Sequence, residues 1–189
     1  MVKPNIIVSS HLNNGECIDI DKSEYVSIKL LGLHANKMNA EMKISTNIME
    51  KLLYYLWYLG KDGYPVTYCS VDNKKRFNRG LKIHQMLLGK HGCEYAIDHI
   101  NRNKLDNRLC NLRICTKQEN NYNRSKSKNS QYAYKGIKLQ KNGLYTAYVT
   151  KDGKKYEIKD IDGEINAATT HDAMAEELLG HFAPKNFTE

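Results

Sequence analysis

The stretch YAIDHINRNKLDNRLCNLRICTKQENN, residues 95–121, contains the pattern that decides the fold. β-prone residues open the stretch and return at 112–115, and the run between them is too rich in asparagine, aspartate and arginine to form regular structure. Thr116 with Glu119 forms a capping box, which predicts that a helix begins here and runs to about residue 124. The predicted order is therefore strand, loop, strand, helix.

Three polar residues stand at the ends of these elements. If the two strands pair antiparallel, Asp98 and His99 come close to the first turn of the helix, which contains Asn120. A carboxylate and an amide oxygen suit a divalent metal, and an imidazole beside them suits a general base. Phosphodiester hydrolysis needs both, because the attacking water loses a proton and the departing oxygen gains negative charge. The alternative is that Asp98 and Asn120 only satisfy backbone donors in a polar loop.

The spacing of these residues resembles the HNH endonuclease motif, in the form found in phage and intron-encoded homing endonucleases. Asn111 lies twelve residues after His99, Asn120 lies nine further on, and the resemblance covers about residues 82–126. It implies a ββα-metal fold in which His99 is the general base that activates water. It also implies that Asp98 and Asn120 bind one Mg²⁺ or Mn²⁺ and that Asn111 pins the loop so that the histidine points correctly. An amide oxygen at the third motif position favours a hard cation over zinc.

The C-terminal region carries a second pattern. Three β-type runs are joined by Asn-Gly and Asp-Gly corners, and the helix-type segment GEINAATTHDAMAEELLG follows them. This pattern predicts a three-stranded sheet with one helix across it. The region resembles the DNA-binding domain of plant ethylene-response factors, the AP-two type, which implies a sheet that lies in the major groove. Its sheet has lysines and no arginine, and lysines contact phosphate as point charges.

Two elements are predicted before the HNH-like stretch. Asn47 with Glu50 forms a capping box that predicts a helix through about Leu59. The stretch GYPVTYCSVDNKKRFNRGLKIHQMLLG, residues 63–89, predicts a hairpin followed by a short apolar helix. We interpret His84, beside that apolar run, as a satisfied structural histidine, because no set of metal ligands surrounds it in the sequence.

The net charge of +8 is unevenly distributed. Residues 71–128 contain fourteen Lys or Arg against five Asp or Glu, whereas the two flanking segments are nearly balanced. Segregation of this kind is typical of a polyanion-binding face and predicts double-stranded DNA as the partner. The residues predicted to contact DNA are Arg102, Lys104, Arg108, Arg113, Arg124, Lys126, Lys128, Lys135, Lys138, Lys141, Lys154 and Lys155.

Several classes of protein are disfavoured by composition. No apolar run approaches the roughly 18 to 20 residues of a membrane span, and the N-terminus lacks the pattern of a secretory signal. We therefore expect a cytoplasmic protein, encoded by a phage or mobile element and acting on DNA in a bacterial host. The five scattered cysteines favour reduced thiols and no structural zinc. A zinc site from Cys93, His99, Cys110 and Cys115 is the alternative, and its irregular spacing disfavours it.

The predicted fold class is α+β: a ββα-metal HNH nuclease core with an N-terminal α/β extension and a C-terminal three-stranded sheet plus helix. The predicted domains are an N-terminal region without an assigned role (1–80), the nuclease (81–124), a basic linker (125–133) and the AP-two-like DNA-binding domain (134–189). The predicted function is a metal-dependent DNA endonuclease of the homing type, expected to be a monomer with one active site. A catalytically inactive DNA-binding regulator on the same fold is the alternative.

Overall fold

The computed structural model describes residues 9–12, 24–70, 72–124, 126 and 130–187. Its contacts divide the chain into two compact units, Met1–Cys115 and Thr116–Glu189. The boundary therefore falls at the end of the second predicted HNH strand, whereas the sequence patterns place boundaries after residues 80, 124 and 133. The mixture of short helices and antiparallel sheets confirms the α+β class.

The first sheet of the N-terminal unit has the strand order β1-β2-β3-β8. β1 (Ser9–Leu12), β2 (Glu24–Lys29) and β3 (Glu41–Ser45) are antiparallel neighbours, and helix α1 (Leu33–Met38) lies in the connection between β2 and β3. β8 (Asp106–Asn107) pairs with β3 in parallel. The sheet packs its apolar face into the main core, which includes Val26, Ile28, Met42 and Ile44. The stretch CIDI, which has a β-type pattern, lies outside the described residues.

The segment from 46 to 59 corrects the predicted long helix. A 3₁₀ turn (Thr46–Ile48) is followed by helix α2 (Met49–Leu53), and neither has a side-chain cap. The chain then turns so that Trp57 is 2% exposed, and its indole nitrogen donates to the carbonyl of Leu52 at 2.9 Å. Burial of this large ring outweighs the helical pattern, because the ring removes more apolar area from water than a further helical turn would.

The predicted hairpin is confirmed. β4 (Tyr58–Leu59), β5 (Pro65–Cys69) and β6 (Arg76–Lys82) form an antiparallel sheet, and helix α3 (Ile83–Leu88) follows β6 without a loop. Ile83 is fully buried in the main core and anchors the start of α3.

The predicted order of strand, loop, strand and helix is also confirmed. β7 (Tyr95–His99) and β9 (Leu112–Thr116) form a two-stranded sheet, and helix α4 (Lys117–Tyr122) follows β9 in the chain. Thr116 caps α4 in the predicted capping box: its hydroxyl accepts from the amide of Glu119, whose carboxylate accepts from the amide of Thr116. Strand β8 and a 3₁₀ turn (Leu109–Asn111) lie within the loop between β7 and β9.

The C-terminal unit has the predicted sheet and helix. β10 (Ile137–Leu139), β11 (Tyr145–Lys151) and β12 (Lys154–Ile161) form an antiparallel meander, and helix α5 (Glu164–Leu179) packs against it before ending at Gly180. Small buried residues let the helix approach the sheet closely. They are Ala147, Ala167, Ala168 and Ala175. In the described residues, no helix has the length and apolar content needed to cross a membrane.

Candidate active site

Pairing of β7 with β9 positions Asp98. The amide of Ile100 donates to the carbonyl of Asn111 at 2.9 Å, and the thiol of Cys115 donates to the carbonyl of Ala96. Contacts between the end of one strand and the start of the other show that the strands are antiparallel. Asp98 therefore lies opposite Arg113, whose Nε and Nη2 both donate to Asp98 Oδ2, at 2.9 and 2.7 Å. These two hydrogen bonds fix the orientation of a carboxylate that is 6% exposed.

His99, the next residue, is buried and bonded to Asn107. Its Nε2 lies 3.1 Å from Asn107 Oδ1, while Asn107 Nδ2 donates to the carbonyl of Lys104 at 3.0 Å. Because the amide nitrogen is used as a donor to Lys104, the amide oxygen is the group that accepts from the imidazole. In the neutral ring the proton is therefore on Nε2, and Nδ1 carries the lone pair. This arrangement makes Nδ1 the basic atom of the neutral ring.

The surroundings of His99 favour its neutral form. Burial lowers the pKa of the imidazole, and the charge of Lys104 lowers it further. The bond to Asn107 and the carboxylates of Asp98 and Asp106 act in the opposite direction, but the net result is a pKa below the ordinary value of 6.5. A general base must be unprotonated before it reacts, so this shift keeps His99 ready at neutral pH.

Asn111 closes the loop that contains these groups. Its Oδ1 accepts from the amide of Asn101 at 3.0 Å, and its Nδ2 donates to Asn101 Oδ1 at 2.9 Å and to the carbonyl of Asp106 at 2.7 Å. The side chain thus joins the two ends of the irregular segment, while its role in orienting His99 stays a prediction. Asn107 forms a hydrogen bond with His99.

Asp106 and Asn107 are the residues that sequence reasoning missed. In the sequence they are two more polar residues in a loop, and only their pairing with β3 distinguishes them. Asp106 pairs with Lys43 and Asn107 with Ile44, and the amide of Lys43 donates to the carbonyl of Leu105 at 2.7 Å. Residues before position 80 therefore support the loop that holds His99.

Asp106 is held ionised inside this loop. Burial would raise the pKa of its carboxyl, but hydrogen bonds from Arg108 and Asn101 outweigh burial and lower the pKa. Arg108 donates through Nε and Nη2 at 2.8 and 2.7 Å. Because the charge of Asp106 is paired with that of Arg108, the carboxylate is not left as an uncompensated buried ion.

His84 differs from the satisfied structural histidine that we expected. It is 7% exposed, and its ring lies 5.5 Å from that of His99 at an angle of 88°. Its Nδ1 is buried and has no hydrogen-bond partner among the described residues. Burial, followed by the charges of His99 and Lys82, lowers its pKa to about 4, so the ring stays neutral at physiological pH. The sequence pattern predicted the apolar surroundings, but the missing partner follows only from the packing.

The predicted DNA contacts of the N-terminal unit fall into two groups. Arg102 and Lys104 are exposed, and Arg102 has the left-handed φ of 63° in the turn after β7. Arg108 and Arg113 instead point their guanidinium groups at the buried carboxylates of Asp106 and Asp98. Their part in DNA binding stays a prediction, and their contacts in the structure are ion pairs.

The C-terminal unit contains Asn120 and most of the other predicted basic residues. Asn120 is half-buried in α4. Lys135 donates to the carbonyls of Tyr122 and Arg124, which satisfies the C-terminal end of α4. Arg124, Lys126, Lys138, Lys141, Lys154 and Lys155 are exposed, whereas Lys128 lies outside the described residues.

A basic cavity of about 1060 Å³ lies within the C-terminal unit. Lys155 lies over the ring of Tyr148, 4.3 Å from its centroid, and pairs with Glu157. Hydrogen bonding from Lys155, with the charges of Lys159 and Lys138, lowers the pKa of Glu157. The residues that line the cavity include Arg124, Lys126, Tyr132, Lys138, Tyr148 and Lys155.

The donor types of the predicted metal ligands fit a hard divalent cation. Asp98 offers a carboxylate oxygen and Asn120 an amide oxygen, the ligand types that Mg²⁺ and Mn²⁺ prefer. Within the described part of the chain, no three histidine, cysteine, aspartate or glutamate residues are grouped so that they could hold a metal ion. Cys69, Cys93, Cys110 and Cys115 are free thiols.

Comparisons with known proteins show the family of this segment. The profile of the HNH endonuclease family matches residues 83–122, which include α3, the two paired strands and α4. A protein of Acanthamoeba polyphaga mimivirus, named Uncharacterized HNH endonuclease L560, is 42% identical over 132 residues, covering 70% of this chain and 67% of its own length. Protein 3.8 of Escherichia phage T7 is 33% identical over 69 residues, covering 36% of this chain and 57% of its own length. No solved structure is detectably similar. The chain belongs to the HNH endonuclease family.

Proposed function

We propose that this chain is a divalent-metal-dependent endonuclease that hydrolyses phosphodiester bonds in double-stranded DNA, with His99 as the general base. The observation that carries the proposal is the bond between His99 Nε2 and Asn107 Oδ1. It places the lone pair of a buried imidazole, whose pKa is lowered by burial, on Nδ1, one residue along the chain from the proposed metal ligand Asp98. An imidazole in this state takes a proton from water as the water attacks phosphorus.

Asp98 and Asn120 are the proposed metal ligands. Arg113 donates through two nitrogens to Asp98 Oδ2, which fixes the orientation of the carboxylate. Asp98 and Asn120 would hold Mg²⁺ or Mn²⁺, which would supply positive charge to offset the negative charge on the departing oxygen. The residues of the chain do the rest: His99 accepts the proton, Asn107 orients the ring, and Asn111 ties the loop together.

Metal dependence is tested with plasmid DNA that carries the intronless host locus. With Mg²⁺ or Mn²⁺ the full chain is expected to nick or linearise the plasmid, and with a chelator it is expected to leave it supercoiled. Replacing Asp98 with Asn is expected to lower the cleavage rate on the order of 10²-fold, because one ligand charge is lost. Asp162→Asn removes the charge of an exposed carboxylate elsewhere and serves as the matched control. Undiminished cleavage in chelator contradicts the proposal.

The C-terminal unit is proposed as an AP-two-like DNA-binding domain that selects the site, with residues 125–133 as a basic linker. The exposed lysines and Tyr148 around its cavity support this role, because cations and an aromatic ring suit a nucleic-acid backbone and base. We further propose that the enzyme is of the homing type and comes from a phage or mobile element, which the viral origin of its relatives supports. One cleavage centre per chain suits a monomer.

The role of the C-terminal sheet is tested by charge removal in the full chain. The double substitution Lys138→Gln and Lys155→Gln is expected to weaken DNA binding. The slope of log affinity against log salt concentration is expected to become shallower by roughly two, since each lost phosphate contact removes about 0.9 from it. Lys185→Gln, whose ammonium pairs with Glu176 of α5, is the control in the same unit. If affinity and its salt dependence are both unchanged in the double variant, the sheet is not the DNA-binding surface.

A further inference from the structure

Tyr64 belongs to the same cluster of rings as the proposed base. Its ring centroid lies 5.8 Å from that of His99 and 4.9 Å from that of His84. Tyr64 stands at the start of β5, at the end of a tight turn that begins at Gly60. The side chain is half-buried, and burial raises the pKa of its hydroxyl, so it carries no charge at neutral pH. The turn before β5 therefore reaches the nuclease centre.

Two ammonium groups lie against this ring. Lys82 Nζ lies 4.4 Å from the ring centroid and Lys104 Nζ lies 4.5 Å from it. Lys82 ends β6, whereas Lys104 lies in the loop after β7, so the fold brings together two cations from separate parts of the chain. The negative face of an aromatic ring attracts cations, which accounts for their location.

Asp62 holds both lysines in place. Its carboxylate pairs with Lys82 at 2.6 Å, and its backbone carbonyl accepts from Lys104 at 2.8 Å. Long lysine side chains on a surface normally move freely in solvent, and ordering them costs entropy. Here each ammonium has both a ring and an oxygen partner, so the two charges are positioned before any ligand arrives.

The charges in this cluster do not balance. One carboxylate, Asp62, faces the two ammonium groups, while Tyr64 and His84 are neutral. The charge of Asp98 also acts on Tyr64, but Asp98 is paired with Arg113. A surplus positive charge on a half-buried ring beside a nuclease base is suited to an anion.

We propose that Lys82 and Lys104, held on the ring of Tyr64, form a clamp for a backbone phosphate of the DNA strand at the cleavage centre. The inference rests on the proposed nuclease function. Lysines contact phosphate as point charges and carry no sequence information, so the clamp contributes affinity and position but not site choice. By fixing the strand, it places the scissile bond within reach of His99.

The clamp is tested with the double substitution Lys82→Gln and Lys104→Gln in the full chain. Affinity for a DNA duplex is measured in chelator, without cleavage, over a range of salt concentrations. The slope of log affinity against log salt concentration is expected to become shallower by roughly two. With Mg²⁺ and saturating DNA, the single-turnover cleavage rate is expected to fall on the order of 10²-fold, because the strand is no longer positioned. Discrimination between target and unrelated DNA is expected to stay as in the unaltered chain.

Control substitutions separate the clamp from general electrostatics. The double substitution Lys37→Gln and Lys51→Gln also removes two positive charges, but from exposed positions on α1 and α2. Tyr64→Leu removes the ring and should reproduce part of the defect, and Tyr64→Phe, which restores the ring without the hydroxyl, should rescue it. If the clamp variant binds and cleaves like the control, the clamp is wrong although the nuclease proposal stands. If the unaltered chain does not cleave with metal, the nuclease proposal itself fails.

Discussion

Replacing His99 with alanine is expected to abolish metal-dependent cleavage while leaving the affinity for duplex DNA within a few-fold. A positioned general base contributes roughly 10² to 10⁴ in rate, and the side chain is buried rather than part of the DNA-facing surface. Cleavage is measured under single-turnover conditions and affinity in chelator. His34→Ala, at an exposed position on α1, is the matched control. A parallel loss of cleavage and affinity counts against the role of His99 as base.

The pH dependence of cleavage follows from the same residue. Because burial lowers the pKa of His99 below 6.5, the neutral and reactive form persists as the pH falls through 6.5. The rate of the unaltered chain is therefore expected to decline only at a lower pH, when the imidazole binds a proton. Residual cleavage by the alanine variant should lack this decline. An acid limb at or above pH 6.5 in the unaltered chain contradicts the buried, neutral state of the base.

Substituting Gly136 with alanine is expected to unfold the C-terminal unit at physiological temperature. Gly136 has a φ of 72°, and an added Cβ would lie 1.8 Å from Cδ2 of His171. The imidazole is 2% exposed and its Nδ1 is bonded to Asp172 at 2.9 Å, so the ring has no space into which to move. Overpacking and backbone strain together are expected to cost about 3 kcal/mol or more.

Gly153 provides the matched control for this substitution. It has a similar φ of 75°, but no atom lies within 4 Å of an added Cβ. Gly153→Ala therefore carries the backbone strain without the collision and should cost only about 1 kcal/mol. Thermal unfolding measures the loss in free energy of unfolding for each variant. Hydrogen exchange is expected to show that residues 130–187 lose protection in the Gly136 variant. Equal destabilisation by the two substitutions would mean that the contact with His171 is unimportant.

The elements predicted correctly are those with local signals. The Asp-Gly corner joins β11 and β12 with left-handed φ at Asp152 and Gly153, and the capping box of Thr116 opens α4. These signals act over four residues or fewer, so they depend little on the rest of the fold. The hairpin of β5 and β6 has the same local character.

The helix predicted to run to Leu59 is wrong because a distant partner decides its length. The helix ends at Leu53, and Trp57 is buried in the core. The amide of Leu31 donates to the carbonyl of Trp57 at 2.8 Å. Helical propensity is worth a few tenths of a kcal/mol per residue, whereas burying an indole is worth several times more. No pattern within the segment itself contains this information.

The sequence by itself determined the family to which the segment belongs. The spacing of Asp98, His99, Asn111 and Asn120 led to the HNH family, and the charge distribution predicted DNA as the partner. Only the tertiary structure decided which residues surround His99: Asn107 forms a hydrogen bond with its ring, and Tyr64 and His84 pack against it. These residues come from separate segments that meet through the pairing of β8 with β3 and the packing of rings. Contacts between distant segments depend on the folded core, and a motif read along the chain contains only the spacing of its own residues.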